Sequence, residues 1–473
     1  VLGFAPFGFG VLPVFTLALL FFLWRNPARA GLNTWTGYAF GLGLMGFGVF
    51  WIRISIAQFG GVPLALAVVI TLLFILFMAS YYALAGWLSA RLRGESDLVW
   101  LVLVLPGSWV LVEWLRGWLF TGFPWLTLGY SQIDLPLAGY GPVTGVFGIS
   151  LVLALSAGLL NLWPRVPAAL CLLALWAGGL GLQQLAWTEP AGGPIRVSLL
   201  QGNIPQEQKW QRAMRVPSIN RQLEMTGSVP DSRIVVWPET AVPAFDSEVE
   251  STLLKPLHEQ LRAQQRDVLL GIVAGRDDAD YYNAMMSLGV SGRDHYHKRH
   301  LVPFGEYLPF DEWTRPLLDF LRIPMSDFSP GGDSKPLVTL AGYPAGIDIC
   351  YEDAYGNEII RALPEAAMLI NASNDAWFGD SLAPHQHLEI ARMRAIETGR
   401  FLLRATNTGI SAIIDERGRL RGSSPQFQQA ILSDEIVPMR GSTPFVFWGN
   451  LAVLVLMVLM LLFGAWQRQR VVA

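Results

Sequence analysis

Long apolar runs constrain this chain more than any other feature of its sequence. They lie at about 8–24, 35–57, 62–88, 97–116, 140–163, 166–184 and 445–465. At about 1.5 Å per helical residue, each is long enough to cross roughly 30 Å of hydrocarbon. Any one of them taken alone could be a buried core helix. Seven together, in 473 residues that are 52% hydrophobic and 15% charged, predict membrane spans. Gly41, Gly43, Gly46 and Gly48 in the second run are expected to let a neighbouring helix approach closely. Glu113 and Arg116, one turn apart at the end of the fourth run, are expected to pair.

Basic residues set the expected orientation. Arg25 and Arg29, Arg91 and Arg93, Arg165, and Arg468 and Arg470 fall in connections that share one side if the spans alternate. The positive-inside rule makes that side the cytoplasm. Loop 58–61, the aromatic-rich loop 117–139 and the segment 190–440 then lie outside. Val1 would lie outside as well, and one further span before it is expected to bring the N-terminus inside. The predicted division is therefore 1–189 (spans), 190–440 (an outer domain) and 441–473 (a last span and cytoplasmic tail).

Segment 190–440 differs in kind, with most of the charge and only short apolar runs. Strand-like runs occur at 195–201, 233–237, 268–274, 284–290, 347–350, 368–372 and 411–414, and helix-like stretches at about 214–226, 248–265, 353–363 and 385–399. Their alternation predicts a layered α/β domain of about 250 residues. Three polar residues close such runs: Glu239 after Ile234–Pro238, Lys298 after His295–His297, and Cys350 after Ile347–Ile349. Strand ends gather at one edge of a sheet, so the three can share a pocket. A carboxylate suits a general base and a thiol a nucleophile. A cation beside them lowers the thiol pKa and stabilises an oxyanion. Only two cysteines occur, and Cys171 lies inside an apolar run, so a disulfide is not expected. There is no metal-spaced His/Cys cluster and no glycine-rich phosphate loop, and a net charge of −3 gives no case for nucleic acid.

These residues carry a resemblance. Trp-Pro-Glu at 237–239, Lys298 with Val-Pro-Phe-Gly-Glu at 302–306, and Cys-Tyr-Glu at 350–352 resemble the Glu-Lys-Cys triad of the nitrilase superfamily. Gln-Gly-Asn-Ile-Pro-Gln at 201–206 with Lys209-Trp210, Thr-Gly-Phe-Pro-Trp at 121–125, Asn-Asp-Ala-Trp-Phe-Gly at 374–379, Ala-Arg-Met-Arg-Ala at 391–395 and Thr-Asn-Thr-Gly-Ile at 406–410 extend it. With the flanking spans, the chain resembles the bacterial apolipoprotein N-acyltransferases. That family has eight spans, against seven visible here.

The resemblance implies a multi-span helical membrane domain carrying an extracytoplasmic nitrilase-like αββα sandwich, in the bacterial inner membrane with the catalytic domain on the periplasmic face. It implies the last step of lipoprotein maturation, without a cofactor. An acyl chain passes from a phospholipid, usually the sn-1 chain of phosphatidylethanolamine, through a cysteine thioester to the α-amino group of a diacylglyceryl-cysteine apolipoprotein. Cys350 would be the nucleophile, Glu239 the base and Lys298 an oxyanion partner. Glu306, Tyr351, Glu352 and Asn374 would support the site, and Trp210 would stand near the substrate entrance.

Plainer readings stand beside this one. Asn374, Asp375 and Asn407 suit turns and caps, His385 and His387 suit a helix surface, and Arg392 and Arg394 suit a solvated or structural face. Trp377 and Phe378 suit either the core or a lipid-facing rim. Segment 316–330, with Phe320, Leu321, Ile323, Met325 and Phe328 between prolines, reads as a loop tucked into the core or as a flap resting on the bilayer. A membrane-tethered amidase giving the acyl group to water, or a non-catalytic receptor or transporter, would share much of this sequence. The arginine distribution makes one direct prediction: a cysteine introduced near residue 300 reacts with an impermeant maleimide from outside the cytoplasm. Labelling only after permeabilisation contradicts the topology.

Overall fold

The computed structural model describes residues 1–26, 31–275, 280–310, 312, 315 and 327–472. It divides into two compact units, one of Val1–Arg53, Ala65–Ala186 and Thr443–Ala473, the other of Ile54–Leu64 and Trp187–Ser442.

The first unit is helical. Among the described residues, four helices are long and apolar enough to cross a membrane: Leu64–Arg91, Asp97–Arg116, Pro136–Leu160 and Leu451–Arg470. Leu32–Gly48 and Ile52–Phe59 meet at 54° and together make a possible fifth span. Leu12–Trp24 and Val166–Leu182 are apolar but shorter, so the seven expected spans are not seven equal helices. Leu72, Leu73, Leu76 and Phe77 are exposed on one of the long helices, which suits a lipid solvent rather than water.

Glycines bring helices together, though not all of those expected. A Cβ on Gly41 would lie 2.9 Å from the Cα of Ala79, and one on Gly37 2.4 Å from the carbonyl oxygen of Tyr82, whereas Gly43 and Gly46 face open space. Glu113 and Arg116 each bind the 117–139 loop. Glu113 Oε1 accepts the N–H of Leu128 at 3.0 Å, and Arg116 Nη1 donates to the carbonyls of Phe123 and Trp125 at 2.5 Å. The loop's backbone groups, otherwise unpaired at this depth, thus supply partners that the two side chains were expected to find in each other.

The second unit is a two-sheet sandwich. Its strands are β1 (Thr188–Pro190), β2 (Ile195–Gln201), β3 (Ile234–Val236), β4 (Val242–Phe245), β5 (Asp267–Gly275), β6 (Tyr281–Gly289), β7 (Asp294–His297), β8 (Leu337–Leu340), β9 (Tyr343–Ile349), β10 (Met368–Ser373), β11 (Leu402–Thr406), β12 (Ala412–Ile414), β13 (Leu420–Ser423), β14 (Ala430–Ile436) and β15 (Met439–Gly441). One sheet runs β14-β2-β3-β5-β6-β7, with β4 beside β5; the other runs β13-β12-β11-β10-β9-β8; β1 pairs with β15. Parallel pairs β2/β3/β5 and β9/β10/β11 form the centres, with antiparallel strands outside them.

Alternation along the strands builds the layers. Val197, Leu199, Val236 and Leu269 of one sheet meet Ile347, Ile349, Ile370 and Leu403 of the other in a single apolar core. On the first sheet's outer face, Leu200, Val235, Val268 and Leu270 pack with Leu257 and Leu261 of helix Lys255–Ala263. Helix Ala383–Thr398 lies on β11 and β12 of the second sheet. The expected helix over 353–363 is instead three short turns, Cys350–Ala354, Gly356–Ile359 and Ile360–Ala362, interrupted where Tyr355 adopts extended geometry. Of segment 316–330, Phe320, Leu321, Ile323 and Met325 lie outside the described residues. Phe328 packs its ring 5.1 Å from that of Tyr281 and donates its backbone N–H to the carbonyl of Glu306 at 2.9 Å.

Candidate active site

Five strands of this sandwich end in polar residues that serve one place. Glu239 follows β3, Lys298 follows β7, Cys350 follows β9, Asn374 follows β10 and Asn407 follows β11. Cys350 is the first residue beyond its strand and adopts φ of +54°, a left-handed conformation that costs a side-chain-bearing residue about 1–2 kcal/mol. Four interactions with Glu352 hold the turn in place. Its carboxylate accepts the N–H of Ile349 at 2.7 Å, of Arg299 at 2.8 Å and of His300 at 3.0 Å, and the hydroxyl of Tyr296 at 2.9 Å. Glu352 therefore ties the Cys350 turn to the segment that carries Lys298.

Glu239 sits on a second strained turn, with Thr240 at φ +47°. That turn lies against Gly271 of β5, where a Cβ would come within 2.3 Å of the Thr240 nitrogen, so only glycine lets the Glu239 turn approach. Lys298 Nζ lies 2.9 Å from Glu306 and 3.7 Å from Glu239 Oε1, with 1% of its side chain exposed. Asn283 of β6 joins the three. Its Nδ2 donates to Glu239 Oε1 at 2.7 Å and to Glu306 Oε1 at 2.9 Å, and its carbonyl accepts the N–H of Lys298 at 2.8 Å. Sequence reasoning missed Asn283. Its only signal was an amide at the head of the largely apolar stretch Asn283–Leu288.

The electrostatics differ from the simple expectation of an acidified thiol. Burial, and next the Glu239 carboxylate, push Cys350 well above the ordinary thiol range; Lys298 opposes them without prevailing. Burial also works against the Lys298 charge, but Glu306 and Glu239 outweigh it and hold the ammonium firmly charged. The geometry thus places the Glu239 carboxyl and the Lys298 amine beside the Cys350 thiol.

Other predicted residues fall around this centre. Asn374 is buried and donates from Nδ2 to Gln206 Oε1 at 2.6 Å, while Asn407 accepts the N–H of Ile204 at 3.0 Å. Trp210 is 54% exposed on the turn after Gln206–Lys209. Tyr351 meets His300 and Tyr355 edge-on at 5.9 and 5.2 Å. Trp377 packs against Phe59 with ring centroids 5.0 Å apart, and its carbonyl accepts the Ser55 hydroxyl at 2.6 Å.

Known proteins similar to this chain fall in one family. The family model described as the apolipoprotein N-acyltransferase N-terminal domain matches residues 1–159, and that described as carbon-nitrogen hydrolase matches 196–444. An apolipoprotein N-acyltransferase of Methylococcus capsulatus is 47% identical over 458 residues, covering 95% of this chain and 90% of that protein. One of Nitrosomonas europaea is 47% identical over 471 residues, covering 98% and 94%, and one of Vibrio cholerae is 39% identical over 486 residues, covering 99% and 95%. The chain belongs to the apolipoprotein N-acyltransferase family.

In this N-acyltransferase the Cys350 turn rests on a buried ionic cluster, one member of which, His387, sequence reasoning had put on a helix surface. His387 is fully buried. Its Nε2 lies 2.9 Å from Asp353 Oδ1 and 3.3 Å from the carbonyl of Cys350, and its Nδ1 lies 3.0 Å from Asp375 Oδ1. Arg404 of β11 reaches Asp353 at 3.2 Å, Asp375 at 2.9 Å and Asn371 Oδ1 at 2.6 Å. Asn371 donates from Nδ2 to the Cys350 carbonyl at 3.1 Å and also to Asp348. Arg394 is buried too, paired with Glu397 at 3.1 Å, and Arg392 donates to the carbonyl of Gly418 at 2.8 Å. Helix Ala383–Thr398 is buried on nearly every side, so its polar residues face protein where a surface helix would face water.

Burial and Arg404 oppose the His387 charge, but Asp353 and Asp375 outweigh them and raise the imidazole to about 9 from an ordinary value of 6.5. Burial likewise works to raise Asp375, but Arg404 and His387 hold it well below the usual carboxylate range. A raised histidine contributes stability that is complete below its unfolded value and is lost as pH rises through its folded value. The thermal midpoint should therefore fall as pH rises through about 9. His387→Gln should lower the midpoint near neutral pH, by the equivalent of about 3–5 kcal/mol for breaking a buried charged pair, and should flatten the alkaline fall. An unchanged fall in His387→Gln, followed by differential scanning fluorimetry, contradicts the assignment.

Proposed function

We propose that the enzyme transfers an acyl chain from a phospholipid to the α-amino group of a diacylglyceryl-cysteine apolipoprotein, through a thioester on Cys350. The observation that carries this reading is the strained Cys350 elbow facing a Glu239–Lys298 pair whose members lie 3.7 Å apart. Relatives named for this activity at 47% identity over nearly the whole chain support it. The resemblance also implies phosphatidylethanolamine as donor. The arginine pattern supports a multi-pass protein of the bacterial inner membrane with the catalytic domain on the periplasmic face.

The chemistry follows from the charges. Glu239 removes the proton of the Cys350 thiol as sulfur attacks the donor's ester carbonyl, and the tetrahedral oxyanion forms beside Lys298. Collapse breaks the carbon–oxygen bond. The departing lysophospholipid alkoxide takes the proton back from Glu239, leaving the acyl thioester. The acceptor amine then attacks the thioester carbonyl and gives a proton to Glu239. A second collapse breaks the carbon–sulfur bond, releasing the amide, and Glu239 returns the proton to Cys350. A thioester retains enough acyl-transfer potential to make an amide, and two steps let two lipid substrates use one pocket in turn.

Glu239→Gln preserves the shape that Asn283 recognises but cannot take a proton. Both half-reactions, measured separately at single turnover, should slow by about 10²–10⁴-fold, a typical contribution of general-base catalysis. Lys298→Met should also impair both, since each passes through an oxyanion. Full-rate thioester formation in Glu239→Gln contradicts the role given to that carboxylate.

A further inference from the structure

One buried ionisable group at this site has no part in the scheme above. Lys209 closes the short helix Gln206–Lys209 and is only 4% exposed. Its Nζ donates to the backbone carbonyl of Glu239 at 3.0 Å. It therefore grips the strained turn that presents the base.

The charges at the centre give this lysine a second task. Glu239, Glu306, Lys298 and Lys209 are buried together, two carboxylates against two ammoniums. Lys298 is engaged by Glu306 at 2.9 Å and is farther, at 3.7 Å, from Glu239. When the Cys350 proton moves to Glu239, the negative charge moves from oxygen to sulfur without leaving the cluster. Without Lys209 that migrating charge would be one more than the remaining cation can balance, inside a medium where uncompensated charge is expensive. We propose that Lys209 is a positioning residue for both half-reactions, holding the Glu239 turn by its carbonyl and balancing the negative charge that passes between Glu239 and Cys350. This rests on the assignment of Glu239 as base and Cys350 as nucleophile.

The groups around Lys209 make the proposal sensitive to pH. From inside the protein it faces Glu239 and Cys350. Glu207 on its own helix and Arg212 on the next are exposed, and Arg215 on that next helix is paired with Glu248 at 3.0 Å. Burial lowers the Lys209 ammonium to about 8, against the opposing pull of Glu239 and Cys350. The balancing charge is therefore present near neutral pH and is lost as pH rises through about 8.

The test uses the full chain in detergent micelles with phosphatidylethanolamine, following acyl-enzyme formation by intact mass at single turnover across the neutral and alkaline range. The wild type should lose rate with a midpoint near pH 8. Lys209→Met should be about 10–100-fold slower near neutral pH, the size of losing one preorganised electrostatic partner, and should show no fall near pH 8. Lys209→Arg keeps the charge and should move the fall upward. A wild type with no fall between about pH 7 and 9 overturns the proposal whether or not the variants fold. So does a Lys209→Met variant within about twofold of wild type. Cys350→Ala run in parallel separates the two assignments. No adduct there, with normal acylation in Lys209→Met, removes the role of Lys209 alone. A full adduct in Cys350→Ala removes the nucleophile on which it rests.

Discussion

A buried carboxylate and a buried thiol can exchange a proton only if the charge left behind is balanced where it forms. That constraint shapes the site around Cys350. The thiol is held neutral by burial and by the Glu239 carboxylate, so the sulfur becomes nucleophilic only as its proton leaves. Burial works against the Lys298 charge, but Glu306 and Glu239 outweigh it and favour the ammonium. Asn283 keeps the two carboxylates apart from one another by donating one N–H to each. A water-filled cleft would screen these charges; a closed one makes their arrangement decisive.

The sandwich supplies the rigidity that this balance needs. Cys350 and Glu239 both sit on turns with a positive φ, at Cys350 itself and at Thr240, conformations that persist only when their surroundings over-determine them. Glu352 fixes the Cys350 turn from one side, and the Asp353–His387–Asp375–Arg404 cluster fixes its carbonyl from the other. Gly271 allows the Glu239 turn to lie against β5. Glu352 and Asp353 belong to the Cys350–Ala354 turn itself, and their partners come from other strands, helices and turns, so the site depends on the packing of the domain around it.

Much of this was legible from residues alone. Cys350 and Glu239 stood at the ends of short apolar runs, and Lys298 at the end of the His295–His297 stretch. The Cys-Tyr-Glu and Trp-Pro-Glu stretches then pointed to a family. Less legible were groups whose partners are distant in sequence. Asn283 and Arg404 lie inside strands, where a polar residue reads as a weakness in the pattern until its partners, 44 residues away for Asn283 and Glu239, are known. His387 was misread because its helix is buried all round, which removes the amphipathic signal that separates surface from core. The membrane helices show the same limit. Hydropathy marked seven apolar runs, but helix length separates four from the rest, and the bend between Gly48 and Ile52 has no signature in composition.

The central claim is that Cys350 carries the acyl chain between two lipid substrates. Intact-mass analysis of the wild-type protein, first with phosphatidylethanolamine alone and then after adding a diacylglyceryl-cysteine peptide, tests it most directly. The account predicts one acyl adduct, located at Cys350 by proteolysis, that builds up without acceptor and passes to the peptide as an amide when acceptor is added. Transfer to the peptide with no adduct at Cys350 at any time, or an adduct that water discharges as fast as the peptide does, would contradict it.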